Sequence, residues 1–261
     1  MLTINFDNIQ PDKEISIRAS ELNWYLNPSM FHSKTLGKWL EVTNLWDRIH
    51  MMVQMAMLVS EEAWREETRR NVEEINRWTP WYRETEMKWF TWAAQSYIDL
   101  LPRKEDKSLL YKARNIETKR VVIINYMWYA IWFSWTADID LYNEWNKWTM
   151  IDVKTSWGKW KQEWADEQRQ KYYYTYLKCM IEWLEWCTFK YWVLTRQKTP
   201  QFQEFEYYIT KEEAEQVLKD DLTLFIKWLW TEKKTVDIVV PQDNWWNVVI
   251  DFNEEDRDVW L

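Results

Sequence analysis

Glycine is nearly missing. The 261 residues contain two, Gly37 and Gly158, where average usage near 7% would supply about 18. Cysteine is equally sparse: Cys179 and Cys187 exclude a disulfide scaffold and a four-thiolate metal site, and a reducing compartment is expected. No window approaches 18 uninterrupted apolar residues, and the start, MLTINFDNIQPDKEIS, lacks a basic-then-apolar leader. Neither a membrane span nor Sec export is expected, and the expected location is the cytoplasm. Positive charge is short as well: 34 Lys and Arg face 42 Asp and Glu, for a net charge of −8. That excludes coating nucleic acid by bulk charge and leaves room for a local basic groove.

What is abundant is tryptophan, 24 residues of it. Tryptophan belongs on apolar faces that bury its large surface. Many of these sit instead among turn formers: Asn23-Trp24, Asn143-Glu144-Trp145-Asn146-Lys147-Trp148, Ser156-Trp157-Gly158-Lys159-Trp160 and Asn244-Trp245-Trp246-Asn247. Such stretches call for positive φ, which glycine adopts freely and a bulky side chain does not. With glycine they read NG, NEGNKG, SGGKG and NGGN, all ordinary turns. The pattern is that of an alternative genetic code, with UGA codons for glycine rendered as tryptophan. A chain truly rich in tryptophan, such as a designed one, is the other reading.

Along the chain, 43–76 reads as helix, apolar on all sides at first and then alternating in charge. Residues 102–120 hold seven Lys and Arg against three acids, the strongest basic stretch in an acidic chain. Val121–Tyr126, Tyr129–Tyr142 and Thr149–Thr155 read as strands, Gln162–Glu185 as helix, Phe189–Thr195 and Phe205–Ile209 as strands. A helix at Lys211–Lys227 and a strand at Val236–Val240 close the pattern. The order predicts a single α/β domain over 1–261 with mixed strand pairing, in which 200–261 form a C-terminal α/β extension.

The chemistry concentrates in Ser134-Trp135-Thr136-Ala137-Asp138-Ile139-Asp140 and Met150-Ile151-Asp152-Val153-Lys154-Thr155-Ser156. A hairpin turn centred near 145 pairs 142 with 148, 140 with 150 and 138 with 152. Asp138 and Asp152 then become cross-strand neighbours with Cβ atoms about 5 Å apart. Alternation sets Lys154 on the Asp152 face and turns Ile151 and Val153 to the opposite, buried one. Two carboxylates this close repel unless a positive charge lies between them. Hard oxygen ligands suit Mg²⁺ or Mn²⁺, and a lysine two residues on can orient or deprotonate a water. That set can hydrolyse a phosphodiester. It is equally compatible with a hairpin whose polar face is merely solvated.

Here the sequence resembles the RecB-like branch of the PD-(D/E)XK nuclease superfamily. That branch carries G-x-x-D, a hairpin and then I-D-x-K-T. Asp138 matches the first acid, with Trp135 where the family has glycine, and Ile151-Asp152-Val153-Lys154-Thr155 matches the second motif. The downstream Q-x-x-x-Y helix is matched by Gln170 and Tyr174, or one register away by Gln168 and Tyr172. The upstream G-x-x-x-H is matched by Trp46 to His50 if position 46 is glycine. These motifs span 46–174, about half the chain, and both glycine corrections supply the residue the family expects. An acid often follows the helix histidine by one turn, and Gln54 stands there instead.

The resemblance implies a restriction-endonuclease-like core, a central mixed β-sheet flanked by helices. It implies a metal-dependent nuclease acting on DNA, exonuclease-like, in repair, recombination or a mobile element, with a helicase or repair protein as a partner of the kind this branch works with. Asp138, Asp152 and the Val153 main-chain carbonyl would ligate Mg²⁺ or Mn²⁺, His50 would add a ligand, and Lys154 would be the base or water-orienting group. Gln170 and Tyr174 would shape the site or position the strand. Branch members with an iron–sulfur cluster use four cysteines, so no cluster is expected here. Cys179 and Cys187 read as core thiols, and of the tyrosines at 172, 173, 174 and 176 only Tyr174 is a site residue. Lys159 and Lys161 follow the catalytic strand as candidate substrate contacts. Two other readings stay open: a non-cleaving nucleic-acid-binding module of the same fold, and a designed tryptophan-rich chain without natural function.

Overall fold

The computed structural model describes residues 2–20, 22, 99–107, 113–142, 148–156, 158–195, 199 and 201–231. The expected helix over 43–76 with His50 and Gln54, the expected strand at Val236–Val240, and Trp24, Trp46, Trp145, Trp157, Trp245 and Trp246 lie outside the described residues. Among the described residues there are seven strands, β1 (Leu2–Asn5), β2 (Lys13–Arg18), β3 (Ala113–Tyr126), β4 (Tyr129–Tyr142), β5 (Trp148–Ser156), β6 (Trp186–Thr195) and β7 (Phe202–Thr210). Three helices accompany them, α1 (Gln162–Glu167), α2 (Gln170–Glu182) and α3 (Lys211–Thr231). The protein is α/β, a mixed seven-stranded sheet flanked by helices, in the order β1-β3-β4-β5-β6-β7 with β2 also paired to β4.

β3 and β4 form a long antiparallel hairpin closed by Met127 and Trp128, with Tyr126 opposite Tyr129. Both turn residues have positive φ, 49° and 71°, the mirror-image turn that matches the twist of its strands and ordinarily takes Asn-Gly. A second left-handed residue, Trp183 at φ 58°, ends α2. Its N–H and that of Leu184 both return to the Cys179 carbonyl, the closure that glycine usually makes. Among the described residues, two of the four non-glycine residues with positive φ are therefore tryptophans, each in a place that suits glycine. They are not the ones the sequence singled out. Trp135 and Trp148 lie within strands, Trp160 packs between Tyr191 and Phe205, and none of the three has positive φ. For those positions the expected backbone strain is absent.

One face of the sheet packs on α2 and α3 through Ile131, Phe133, Phe189, Val193, Leu177 and Leu222. Residues 202–231 complete this layer: β7 pairs antiparallel with β6, and α3 lies on α2 and β7. The expected continuous helix over 162–185 is two helices, broken at Gln168 and Arg169. The break is held by Lys171, whose Nζ donates to the carbonyls of Ala165, Asp166 and Gln168 at 3.1, 2.6 and 2.8 Å. Three acceptors fall where α1 ends, so one side chain satisfies carbonyls that a helix terminus leaves open. The strand expected to begin at Val121 begins at Ala113, taking in the end of the basic stretch.

Candidate active site

The site is set by a fork in the sheet. β2 runs parallel to β4 and pairs with Tyr129 to Ser134, whereas β5 runs antiparallel on Ile139 to Tyr142. Both occupy the same edge of β4. Between them, 135–138 have no strand partner on that edge among the described residues. The β4–β5 register is Tyr142 with Trp148 and Asp140 with Met150, as the turn centred near 145 predicts. The ladder stops at Ile139 opposite Ile151, one step before Asp138 and Asp152.

There a side chain replaces the ladder. Asp138 Oδ2 accepts the Val153 N–H at 2.7 Å, joining the diverging strands through a carboxylate. In an extended strand a residue's N–H and C=O face the same edge, so the Val153 carbonyl also points into the fork. Asp152 is buried, and its Oδ2 lies 2.7 Å from Lys154 Nζ in a close ion pair. Lys154, 28% exposed, donates from Nζ to Gln170 Oε1 at 3.1 Å. Burial alone would lower the Lys154 pKa, but the charges of Asp152 and Asp138 outweigh it and hold the ammonium above its usual value.

The structure thus gathers Asp138, Asp152, Lys154 and Gln170 where β5 leaves β4 and α2 begins. The two registers of the helix motif separate here: Gln170 reaches Lys154, while the Gln168 amide donates to the Trp164 carbonyl on the surface. Tyr174, one turn beyond Gln170, is buried and lines an adjoining cavity. Tyr173 gives its hydroxyl to Asp221 at 2.5 Å, and Tyr176 is buried. The cysteines are core thiols, with Sγ atoms 3.6 Å apart, and the Cys179 contact together with burial pushes the Cys187 thiol far up. Of the candidate loop contacts, Lys159 is exposed and Lys161 lies over the Trp164 ring at 5.9 Å, neither in contact with the carboxylates.

Sequence reasoning missed the neighbouring pair. Lys178 Nζ donates to Asp140 Oδ2 at 2.8 Å, the two being 2% and 1% exposed. Arg120 approaches Asp140 at 3.4 Å and Glu182 at 3.5 Å. Arg120, the last residue of the basic stretch, thus points inward. The signal was present: Gln170, Tyr174 and Lys178 recur every four residues and share one helix face, and Asp140 follows Asp138 by two.

The donor set suits a divalent cation. Asp138 and Asp152 are hard oxygen donors brought to one edge of the sheet, and the buried Asp152 Oδ2 is met by the Lys154 ammonium at 2.7 Å. Among the described residues no three His, Cys, Asp or Glu side chains form a metal-binding group, so the described donors are two carboxylates and a main-chain carbonyl. Among the described residues no helix is long and apolar enough to cross a membrane.

No family model matches the chain, and no curated protein matches it. Among solved structures, the crystal structure of SSO0001 is similar at a TM-score of 0.40 and 12% identity, over 83% of this chain and 79% of that one. Rai1 of Scheffersomyces stipitis, in complex with (3'-NADP)+ and calcium ion, is similar at a TM-score of 0.25 and 13% identity, over 69% and 52%.

Proposed function

We propose that this protein is a metal-dependent nuclease with a restriction-endonuclease-like core, hydrolysing phosphodiester bonds in DNA. The observation that carries the reading is the meeting of Asp138, Asp152 and Lys154 at the β4–β5 fork, with Gln170 of α2 holding the lysine. Asp138, Asp152 and the Val153 carbonyl would hold Mg²⁺ or Mn²⁺, which offsets charge on the scissile phosphate and lowers the pKa of the attacking water.

The chain's own residues divide the remaining work. Asp138 fixes the fork through the Val153 N–H, which sets the distance between the strands. Lys154, held as an ammonium by Asp152 and Asp138 in the metal-free protein, would orient a water or a phosphate oxygen, or act as the base where a bound metal offsets the two carboxylates. Gln170 limits the swing of that ammonium. Each such positioned donor is worth roughly 10²-fold or more in rate.

The test uses labelled single- and double-stranded DNA with Mg²⁺ or Mn²⁺. Both the chain as written and a version with glycine at 46, 135, 157 and 160 are assayed. Cleavage that falls more than about 100-fold in Lys154→Ala and Asp152→Asn is the expected result. Binding without metal-dependent cleavage in either version would overturn it in favour of a non-cleaving module.

A further inference from the structure

Next to the carboxylates lies a cavity of about 220 Å³, far more than the roughly 15 Å³ one water requires. Its walls include Arg18 at the end of β2, Lys119 on β3, and the hydroxyls of Ser20, Ser134, Thr136 and Tyr174. Among the described residues of its lining there are two cations, four hydroxyls and no carboxylate. This is the reverse of the neighbouring site, which is carboxylate-rich. The two share a strand and a helix: Thr136 precedes Asp138 by two residues on β4, and Tyr174 follows Gln170 by one turn of α2.

The cavity exists because of the fork. β2 ends opposite Ser134 and β5 takes up pairing only at Ile139, so the unpaired edge of β4 opens between them. Lys119 stands opposite Thr136 in the β3–β4 register, and Arg18 stands opposite Ser134 in the β2–β4 register. The two cations therefore approach the opening from both sides of β4. Cations and hydroxyl donors without an acid recognise phosphate oxygens. Two residues of strand cover about 6.7 Å, comparable to one nucleotide step along an extended single strand.

We infer that this cavity seats the phosphodiester next to the scissile one on a single strand of DNA, with Arg18 and Lys119 as its charged contacts. The inference rests on the nuclease reading and names a substrate contact that the carboxylate motifs do not contain. A strand crossing the fork passes from the carboxylates into a positive pocket one nucleotide away. The order of charge along β4 then fixes where the strand stops.

The experiment is anisotropy of a fluorescent dT12 single strand in EDTA, where no metal-dependent cutting occurs, over a series of salt concentrations. Arg18→Gln and Lys119→Gln are each expected to weaken binding several-fold and to lower the slope of log K against log salt by about 0.7. Both side chains are exposed, so the melting temperatures of the variants serve as the folding control. Lys104→Gln removes the same charge from an exposed site outside the cavity wall and is expected to change binding far less. Equal losses in all three variants, or none in the first two, would overturn the inference. So would inorganic phosphate displacing dT12 at the concentration at which dT12 itself binds, which would mark a free-phosphate site. Cleavage is scored separately with metal, so a strand that binds through Arg18 and Lys119 but is never cut counts against the nuclease reading alone.

Discussion

Two lysine–aspartate pairs stand within a few residues of each other and have opposite fates. Lys178 and Asp140 are sealed, with Arg120 and Glu182 beside them and the Trp148 ring 4.6 Å from the ammonium. Two cations meet two anions, and the group is neutral. Lys154 and Asp152 sit at the fork, the lysine partly exposed and the aspartate buried, with Asp138 as a second carboxylate whose charge acts on the same ammonium. The first arrangement balances its charges within the core. The second brings two hard oxygen donors together at the open edge of β4, the set that the proposed divalent ion would use. On the proposed reading, the same pair of side chains serves architecture in one place and chemistry in the other.

The comparison breaks if the two lysines prove interchangeable. Lys178→Met strands a buried carboxylate and is expected to cost about 3 kcal/mol or more. Lys154→Met also strands a buried carboxylate, Asp152 beside Asp138, and is expected to cost a comparable amount in EDTA, partly recovered with Mg²⁺, while abolishing the proposed cleavage. Urea melts of the two variants with and without Mg²⁺ measure the difference, and a Lys154→Met loss that Mg²⁺ leaves unchanged would mean that both pairs are structural.

A smaller effect concerns the end of α2, the helix that carries Lys178. Trp183 closes it in the left-handed region, as Trp128 does the β3–β4 turn, at a strain of about 1–2 kcal/mol per residue. They are 91% and 52% exposed, so little packing is lost on truncation. Trp183→Gly and Trp128→Gly are each expected to stabilise by about 1 kcal/mol. Trp160→Gly, without positive φ and packed on Tyr191 and Phe205, is expected to destabilise. Unchanged melts for Trp128 and Trp183 would remove the structural support for glycine at those positions. UGA at their codons would explain a stabilising result, and UGG would make both tryptophans genuine.

A further effect is a pH dependence in Lys171, in the first turn of α2. Burial lowers the Lys171 pKa to about 8 from an ordinary 10.5, against a partial opposing effect of Asp166. Between those values the unfolded chain holds a proton that the folded chain has released, so this group's contribution to stability rises with pH. The stability of the wild type relative to Lys171→Met should climb from about pH 8 to 10.5, read from melts at several pH values. A flat difference would mean that the three carbonyls keep the ammonium charged.

The hairpin of β4 and β5 was legible because its register follows from one turn and strict alternation, and Asp138, Asp152 and Lys154 came with it. Gln170 was legible only as one of two registers; its bond to Lys154 needed the third dimension. β1 and β2 left no local signal, being short strands whose partners lie far along the chain. The break at Gln168 was hidden because the residues that favour helix continue through it, and Lys171 acts only once the chain has turned. Lys178 continues the Gln170–Tyr174 helix face in the sequence, but its pairing with Asp140 needed the third dimension. Phe133 meets Tyr173 and Asp140 meets Lys178, both on α2, at an odd spacing of seven. Simple strand alternation therefore does not hold across the fork, and no periodicity count could place both residues under one helix.

The parallel pairing of the first strands has a consequence for how the chain is made. Leu2 pairs with Val122 and Lys13 with Tyr129, partners 120 and 116 residues later. At ordinary translation speeds that is a delay on the order of ten seconds. The β3–β4 hairpin, closed by a two-residue turn, forms in microseconds once it emerges. β1 and β2 therefore wait outside the ribosome as unpaired edges until the hairpin arrives to template them. The positive wall that Arg18 gives the cavity is set in place only then, so one side of the pocket depends on a segment made more than a hundred residues before its partner strand.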